Sequence, residues 1–464
     1  MARYDRKKKF KINYGRFAIF LVLIVAGIVA AVFLWPPKKE PAADISSPPN
    51  NAVNEPVEPE DPPEPPEPPK PDPVHLSIMC VGDVMVHKPQ LLAAYDSASG
   101  TYEFKESFKY IKPYIESADL ALANIETTFN PEREYQGYPI FNTPRELAEA
   151  VAWAGFDVGF TANNHMMDTG VDGVGKTIDT LSEVGVLAVG SRKEGGERSP
   201  VIEVNGIKIG IVAYTYETTY YSNGNPSING SNIAASTLDI INSYATDKSL
   251  AYGTDEARAN IAAEFKSCRD RGAQLVIAYF HWGAEYGRKP SEGQINMAQW
   301  AAEEGADIIF ASHPHVVQAV ETMEIEVDYP VDSADAASGE PATWTKKVPI
   351  FYSMGNLISN QRAETLEGYT ASAEYTEQGI IACVDLDYDI STGEISDVDI
   401  KCIPTWVEKY RKDGKNAYFV IPLTEGYEDN EDLVASGHKA RADKALKDTI
   451  ELLGEEYIRE DCKF

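Results

Sequence analysis

The sequence predicts an α/β domain that follows one N-terminal transmembrane helix. From His75 onward, short apolar runs such as LSIMCVGD alternate with amphipathic patterns such as PRELAEAVAWAG. This rhythm of strand and helix is typical of an α/β domain with a largely internal sheet. The helix is predicted from residues 17–35, FAIFLVLIVAGIVAAVFLW, which contain no charged side chain. A third observation, polar residues at the ends of the apolar runs, predicts a functional site at one edge of the sheet.

The apolar run 17–35 is long enough for a membrane crossing, because about 20 apolar residues span the hydrocarbon core as a helix. Residues 1–16 before it are rich in Lys and Arg and contain a single acid, Asp5. This bias predicts a cytoplasmic N-terminus and an extracellular C-terminal domain. A cleaved signal peptide is the alternative, but its apolar core usually has only ~7–15 residues. We therefore expect residues 17–35 to be an uncleaved signal anchor that holds the protein in the cell membrane.

Residues 36–74 are dominated by Pro and acidic side chains. Such a segment cannot bury enough apolar surface to fold, so we expect an extended extracellular linker. The predicted organisation is therefore a basic cytoplasmic segment, an anchor, this linker and one domain over residues 75–464. Within that domain, residues 217–252 and roughly 330–346 are predicted to be insertions.

Three further elements are predicted inside the domain. SPVIEVNGIKIGIVAYTY, residues 199–216, predicts a β-hairpin with an Asn-Gly turn. VVQAVETMEIEV, residues 316–327, predicts a second hairpin that leads into the later insertion. The charged segment from His438 to Asp461 predicts a closing helix.

Net charge and cysteine content exclude some classes of protein. The formal net charge of −30 argues against a nucleic-acid binder, because contacts with phosphates need clustered Lys and Arg. An acidic surface is also poorly suited to concentrating a polyanion. The five cysteines lack zinc-type spacing. Cys383 and Cys402 fall in probable neighbouring strands, where a disulfide is one alternative to free buried thiols.

Polar residues recur where the apolar runs end. They are Asp83, Asn124, Glu126, Asn163, Asn164, His165, Asp168, His281, His313, His315 and Asn356. Since the carboxyl ends of parallel strands meet in one crevice, these side chains are expected to converge.

Each of these residues also has an ordinary structural interpretation. Asp83 and Glu126 could cap helices, the asparagines could bond loop backbone, and His281 alone is more often a strand cap than a ligand. Together, however, carboxylates, amides and imidazoles form the mixture that binds Mn, Fe or Zn. Two such ions ~3.5–4 Å apart activate water and stabilise both oxygens of a displacement. The pattern therefore predicts a site for one or two divalent ions.

Six motifs in a fixed order then resemble a known family. MCVGDVMVH, NIETTF, TANNHMMDTG, FHWGAEY, ASHPHVVQ and YSMGNLI are similar to the motifs of the CapA family of poly-γ-glutamate capsule synthesis proteins. The resemblance covers roughly residues 76–360, and the shared order makes it specific. The family in turn resembles calcineurin-like metallophosphoesterases. It therefore implies a four-layer α/β/β/α metallophosphoesterase-like sandwich with its site at the strand ends.

The resemblance also implies a role for individual residues. Asp83 and His315 would bind a first metal, Glu126 would bridge, and a second metal would have the ligands Asn164, His281 and His313. His165 would be the general acid or a transition-state contact, and Asp168 is grouped with it as catalytic. Further candidates in or beside the motifs are His87, Asn124, Asn163, Trp282, Glu285 and Asn356.

One departure from the family pattern concerns the first metal. Metallophosphoesterases usually carry Asp-x-His in the first motif, whereas this chain has Asp83-Val84-Met85. A thioether is a poor ligand for a hard metal ion. His87 has the same strand parity as Asp83 and could supply an imidazole if the backbone stays extended. A weakened or empty first metal position is the alternative.

The function implied is that of a membrane-anchored extracytoplasmic protein of poly-γ-glutamate synthesis or export, with a metal-dependent hydrolase-like site. Its expected partners are capsule-synthase membrane subunits and an anionic polymer or carrier substrate. One alternative is a metallophosphoesterase that acts on a nucleotide or lipid-carrier phosphate ester. Another is a non-enzymatic scaffold of an export complex.

Overall fold

The structure is a computed structural model that describes residues 73–218, 226–328 and 343–462. The predicted anchor and nearly all of the predicted linker lie outside the described residues. No helix within those described ranges is long and apolar enough to cross a membrane.

The described residues form the following strands and helices. The strands are β1 (Val74–Val84), β2 (Tyr95–Asp96), β3 (Thr101–Tyr102), β4 (Leu120–Ile125), β5 (Val158–Phe160), β6 (Leu187–Val189), β7 (Val201–Val204), β8 (Ile207–Tyr216), β9 (Ser227–Ile228), β10 (Ser231–Asn232), β11 (Ser243–Tyr244), β12 (Leu275–His281), β13 (Ile308–Ser312), β14 (Val320–Asp328), β15 (Thr343–Phe351), β16 (Asn356–Ile358), β17 (Gln378–Tyr388), β18 (Ile395–Lys412) and β19 (Lys415–Pro422). The helices are α1 (Lys88–Ala94), α2 (Lys105–Phe108), α3 (Lys112–Ile115), α4 (Glu146–Ala154), α5 (Gly170–Glu183), α6 (Ala235–Leu238), α7 (Asp255–Asp270), α8 (Glu292–Glu303), α9 (Ala363–Leu366), α10 (Glu431–Ser436) and α11 (Lys439–Leu453).

Two large sheets organise these elements. The first has the order β19-β18-β17-β1-β4-β5-β6, and β16 also pairs with β1. The second has the order β11-β8-β12-β13-β15-β14, and β7 also pairs with β8. The central strands of each sheet are parallel, namely β1, β4, β5 and β6 in the first and β8, β12, β13 and β15 in the second. Each sheet therefore gathers the carboxyl ends of its central strands along one edge.

The two sheets face each other, and helices cover their outer faces. Phe160 of β5 stacks on Tyr279 of β12 with 4.1 Å between ring centroids, so these faces are in contact. The preceding residue, Gly159, lies on the other face, where an added Cβ would be 3.5 Å from Leu181 of α5. On β12, the residues between those of the inner face pack with apolar residues of α7 and α8. The predicted α/β sandwich is thus confirmed, with helices outside both sheets.

The first predicted hairpin is confirmed. β7 and β8 pair antiparallel, and their turn residues Asn205 and Gly206 have φ angles of 51° and 84°. Positive φ at both central positions is the requirement of a type I′ turn, which explains the Asn-Gly sequence. The predicted closing helix is present as α11, but it ends at Leu453 with Gly454 as its C-cap, short of the predicted end at Asp461.

The second hairpin does not lie within residues 316–327, so this prediction is wrong. Residues 316–327 contain no turn; β14 instead pairs antiparallel with β15 along its full length. The later insertion therefore lies between the two strands of the hairpin rather than after it. The earlier insertion is only partly described, and it contains β9, β10, α6 and β11.

The structure does not contain the disulfide considered between Cys383 and Cys402. All five cysteines are free and buried. In the β17–β18 pair, Cys383 is opposite Lys401, whereas Cys402 is opposite Ala382. Because successive side chains of a strand point to opposite faces, the two thiols lie on different faces of the sheet.

A short crossover joins the two sheets beside the strand ends. β15 ends at Phe351 in the second sheet, and β16 begins at Asn356 in the first. Asn356 therefore starts a strand rather than ending one, contrary to the sequence interpretation. The crossover passes so close to β1 that a Cβ on Gly82 would lie 1.8 Å from the Gly355 carbonyl oxygen. That same oxygen accepts a hydrogen bond from the backbone N–H of Asp83, at 3.0 Å.

We predict that Gly82→Ala destabilises the protein by at least ~2 kcal/mol, because the added methyl group meets the backbone of Met354 and Gly355 in the crossover. Thermal unfolding followed by circular dichroism would measure the change. The matched control is Gly175→Ala in α5, where an added Cβ meets nothing within 4 Å. That substitution should stabilise the helix by roughly 0.5–1 kcal/mol. Equal melting temperatures for the two variants would contradict the prediction.

Candidate metal centre

The strand ends of both sheets bring five ionisable side chains together. Asp83 comes from β1, Glu126 follows β4, His281 ends β12, and His313 and His315 follow β13. All five are buried. They form two groups, Glu126–His281–His313 and Asp83–Glu126–His315, which we call the metal-type groups. Within each group the potential ligand atoms lie within 4.8 Å of one another. Glu126 belongs to both groups and so stands between them.

Glu126 carries the clearest indication that a cation belongs here. Its Oε2 accepts a hydrogen bond from Asn124 Nδ2 at 3.0 Å. Its Oε1 lies 3.8 Å from His281 Nε2 and 3.9 Å from His315 Nε2, yet makes no hydrogen bond with any described residue. A buried polar atom without a partner is costly, and a metal ion would satisfy it. The carboxylate–imidazole donor set also suits a divalent ion such as Mn, Fe or Zn.

Three asparagines surround these groups. The Asn124 amide donates to Asp83 Oδ1 at 2.7 Å as well as to Glu126, and so holds both carboxylates. Asn163 Nδ2 donates to Asn124 Oδ1 at 3.1 Å, which fixes the orientation of that amide. Asn164 Oδ1 lies 3.0 Å from His281 Nε2, beside the Glu126–His281–His313 group. Asn124 and Asn163 therefore orient the ligands, whereas Asn164 is placed to be one.

The backbone after β13 directs its two imidazoles into different groups. His313 and His315 have φ angles of 106° and 58°, in the left-handed region that residues other than glycine rarely adopt. Their ring centroids are 5.8 Å apart, while that of His313 is 4.8 Å from that of His281. Such backbone strain persists only where the surrounding structure enforces it, and it is concentrated at functional sites.

Burial and mutual contacts determine the charges of the five groups. Burial raises the pKa of Glu126 well above its usual value, and the nearby Asp83 charge acts in the same direction. Burial alone would also raise the pKa of Asp83 and lower that of His315. Their 2.8 Å hydrogen bond outweighs it, so the pKa of Asp83 is lowered and that of His315 is raised. Burial lowers the pKa of His281 well below its usual value and that of His313 to about 3. His281 and His313 are therefore neutral, which is the form that binds metals.

A second pair of side chains lies beside the metal-type groups. His165 Nδ1 is 2.7 Å from Asp168 Oδ2, and that oxygen also accepts a hydrogen bond from the Phe141 backbone N–H at 2.6 Å. Asn229, from the first predicted insertion, reaches within 3.4 Å of His165 Nδ1. Asp168 thus fixes the imidazole in one orientation.

His165 and His315 open into one cavity of about 360 Å³. Its remaining walls are built from Met85, His87, Tyr138, Phe141, Glu285, Tyr286, Asn360, Gln361, Thr365, Leu366 and Tyr369. Four aromatic rings line it, and Tyr138 and Tyr369 are largely exposed. This cavity is large enough to hold a substrate group next to the metal-type groups.

The structure places two of the further candidates away from the proposed roles. Trp282, a candidate beside His281 in its motif, does not face the cavity: it is fully buried on the helix-covered side, stacked on Phe280 and donating to the Tyr352 carbonyl oxygen at 3.0 Å. The reason is strand alternation, since its neighbour His281 points to the site. His87 joins neither metal-type group, because β1 ends at Val84 and His87 instead caps the start of α1.

The other candidates lie closer. Met85 is buried in the cavity wall, and Glu285 lies at its exposed side with Oε1 4.0 Å from His315 Nε2. Asn356 is buried in β16 next to Asp83, and its Oδ1 has no hydrogen-bond partner among the described residues.

Sequence reasoning missed two buried tyrosines at this site. Tyr279 Oη lies 3.3 Å from His281 Nδ1, and Tyr216 Oη lies 3.0 Å from His313 Nε2. Tyr279 shares strand parity with His281, a signal present in the sequence. Tyr216 ends β8 and lies far from His313 along the chain, so its contact depends on the pairing of β8, β12 and β13.

We predict that Glu126→Gln stabilises the metal-free protein at high pH. A carboxyl whose pKa is raised by folding contributes full stability below its unfolded pKa of about 4.3, and this contribution is lost as the pH rises toward the folded value. Relative to Glu126→Gln, the wild type should lose up to about 1.4 kcal/mol per pH unit above pH ~5. Urea unfolding in the presence of a chelator, from about pH 5 to about pH 8, measures the difference. A difference that does not change with pH would contradict the prediction.

Comparisons with known proteins agree with the motifs. The model of the family described as bacterial capsule synthesis protein PGA_cap matches residues 77–361, more than half of the chain. The capsule biosynthesis protein CapA of Bacillus anthracis is 26% identical over 76% of this chain and 71% of its own length. The PGA biosynthesis protein CapA of Bacillus subtilis is 24% identical over 62% of this chain and 64% of its own length.

Among solved structures, a novel phosphatase from Mycoplasma pneumoniae matches 72% of this chain and 94% of its own, with 14% identity and a TM-score of 0.37. The family match covers every strand end that supplies a metal-type side chain. The chain therefore belongs to the PGA_cap family of bacterial capsule synthesis proteins.

Proposed function

We propose that the protein acts in the synthesis or export of an anionic capsule polymer such as poly-γ-glutamate, through a metal-dependent hydrolase-like site. Membership of the PGA_cap family supports this proposal. The relatives in Bacillus anthracis and Bacillus subtilis are named for capsule and PGA biosynthesis. The protein would be held in the cell membrane through residues 17–35, with the domain outside and capsule-synthase membrane subunits as partners.

The position of Glu126 is the observation that best supports a metal-dependent hydrolase-like site. One carboxylate stands between two ligand groups and presents an oxygen without a hydrogen bond to both. Asp83, Glu126 and His315 would hold one divalent ion, and Glu126, Asn164, His281 and His313 would hold the other. Ions at these positions would supply an activated water and stabilise developing negative charge.

The residues around the groups suit the remaining steps of a hydrolysis. His165 faces the cavity and can donate a proton to a leaving group, while Asp168 keeps its ring in place. The aromatic walls of the cavity would hold the part of the substrate that does not react. Positive charge from the ions would also offset the acidity of the domain, which otherwise repels a polyanion.

We predict that the purified full-length protein binds roughly one or two Mn, Fe or Zn ions per chain. Glu126→Ala should remove nearly all bound metal, because both groups share this residue, and His281→Ala should remove only part of it. Elemental analysis after dialysis measures the content. The matched control is His75→Ala, a histidine at the opposite end of β1 whose side chain is 62% exposed. Metal content that is the same in all four proteins would disprove the site.

Substrate assays on the same proteins separate the candidate activities. Cleavage of γ-glutamyl oligomers by the metal-loaded wild type, lost in Glu126→Ala, is the expected result. Cleavage of p-nitrophenyl phosphate but not of γ-glutamyl bonds would instead establish a phosphoesterase. Bound metal with neither cleavage, and capsule formation unchanged in Glu126→Ala cells, would favour a scaffold.

We predict that His165→Asn lowers kcat by about 10²- to 10⁴-fold, the usual contribution of a positioned general acid. Asp168→Asn should lower kcat less, because the imidazole remains but is less well oriented. Metal content should stay at the wild-type level in both variants, since neither side chain belongs to the two ligand groups. Initial rates at saturating substrate measure the effect; a loss of metal in either variant would assign these residues to the ligand shell instead.

A further inference from the structure

Two buried tyrosines lie behind the histidines of one metal-type group and have no part in the steps above. Tyr216 Oη contacts His313 Nε2 at 3.0 Å, and its ring centroid lies 4.9 Å from that of His313. Tyr279 Oη contacts His281 Nδ1 at 3.3 Å. Both tyrosines are buried, so neither phenol can exchange its partner readily for water.

The Tyr216 contact determines which nitrogen of His313 is free. A neutral imidazole has one donor and one acceptor nitrogen. With Nε2 bonded to Tyr216, the other nitrogen, Nδ1, is buried and makes no hydrogen bond within the described residues. An Nε2–H that donates to the phenol oxygen leaves the Nδ1 lone pair bare. Two potential metal-ligand atoms that make no hydrogen bond among the described residues, His313 Nδ1 and Glu126 Oε1, therefore belong to residues of the same group.

We propose that Tyr216, acting through His313, makes the Glu126–His281–His313 group the tighter of two metal-binding positions. Tyr216 is a positioning residue in this account, since it touches a ligand and not the ion. The inference rests on the proposed metal site. It adds which of the two positions binds a metal ion more tightly and which residue causes the difference.

The second group lacks this preorganisation. Asp83 Oδ2 and His315 Nδ1 already bond each other at 2.8 Å, and Asp83 Oδ1 accepts a hydrogen bond from Asn124. An ion that enters there must displace this existing hydrogen bond, so binding gains less. Met85, buried in the wall nearby, offers only a thioether, which binds hard ions poorly.

His281 requires one internal change, and the structure provides for it. Its Nε2 now bonds Asn164 Oδ1 at 3.0 Å. When Nε2 becomes a ligand, the proton must sit on Nδ1, where Tyr279 Oη can accept it. A hydrogen bond at the outer nitrogen of a ligating histidine typically contributes 10- to 100-fold in metal affinity.

Titration of the metal-free full-length protein with Mn²⁺, followed by the electron paramagnetic resonance signal of free Mn²⁺, tests the proposal. We expect two classes of site, the first at least about 10-fold tighter than the second. Tyr216→Phe should weaken the first class by roughly 10- to 100-fold and leave the second unchanged. Asp83→Asn should weaken the second class alone. The matched control is Tyr214→Phe, a buried tyrosine of the same strand that packs against Tyr244, and it should change neither class.

A double-mutant cycle separates positioning from a general structural effect. In a His313→Ala background, Tyr216→Phe should cause no further loss of Mn²⁺ affinity, because the contact through which it acts is already gone. An equal loss in both backgrounds would overturn the proposal, as would two classes of equal affinity or an unchanged first class in Tyr216→Phe. Wild-type protein that binds no Mn²⁺ would overturn the proposed function as well, whereas normal binding that is insensitive to Tyr216 would overturn this inference alone.

Discussion

The burial of one carboxylate between two sheets is the constraint on which the site depends. Glu126 is fully buried, and its Oε1 has histidine nitrogens from the opposite sheet on two sides but no hydrogen bond among the described residues. A charge in such a place is costly unless it is paired. The asparagine pair Asn124–Asn163, the strained backbone at His313 and the Asp83–His315 pair are all arranged around this one group. The shifted pKa values of these side chains follow from this burial and from their contacts with one another.

The close contact of the two sheets makes this burial possible. Phe160 against Tyr279 joins their inner faces, and the crossover at Gly355 passes over β1 at a position where only glycine fits. Gly82 therefore has a structural role next to a candidate metal ligand, Asp83. Parallel strands in both sheets then present their carboxyl ends to the same crevice, so residues far apart in sequence come together in one group. Stability and chemistry share the same few residues at this edge.

Part of the site could be predicted from strand ends alone. Asp83, Glu126, His281, His313 and His315 each follow an apolar run, and parallel pairing brings such positions together. The predictions that failed depended on local geometry. His87 required β1 to continue, whereas the strand ends at Val84. Trp282 lies next to His281 in the same motif, but strand alternation turns it into the helix-covered core. The hairpin predicted over residues 316–327 is absent, and alternation alone cannot distinguish one long strand from two short ones.

The sequence by itself determined the fold class, the family and most of the candidate ligands, because periodicity and motif order are written in the chain. It also determined the type I′ turn at Asn205-Gly206, since only such residues accept positive φ at both positions. Tertiary structure alone decided how the ligands divide into two groups and which nitrogen of His313 is free. It also placed Tyr216 behind that histidine and put the thiols of Cys383 and Cys402 on opposite faces. The physical reason is that these features depend on strand register and on the packing of one sheet against the other, which no local pattern encodes.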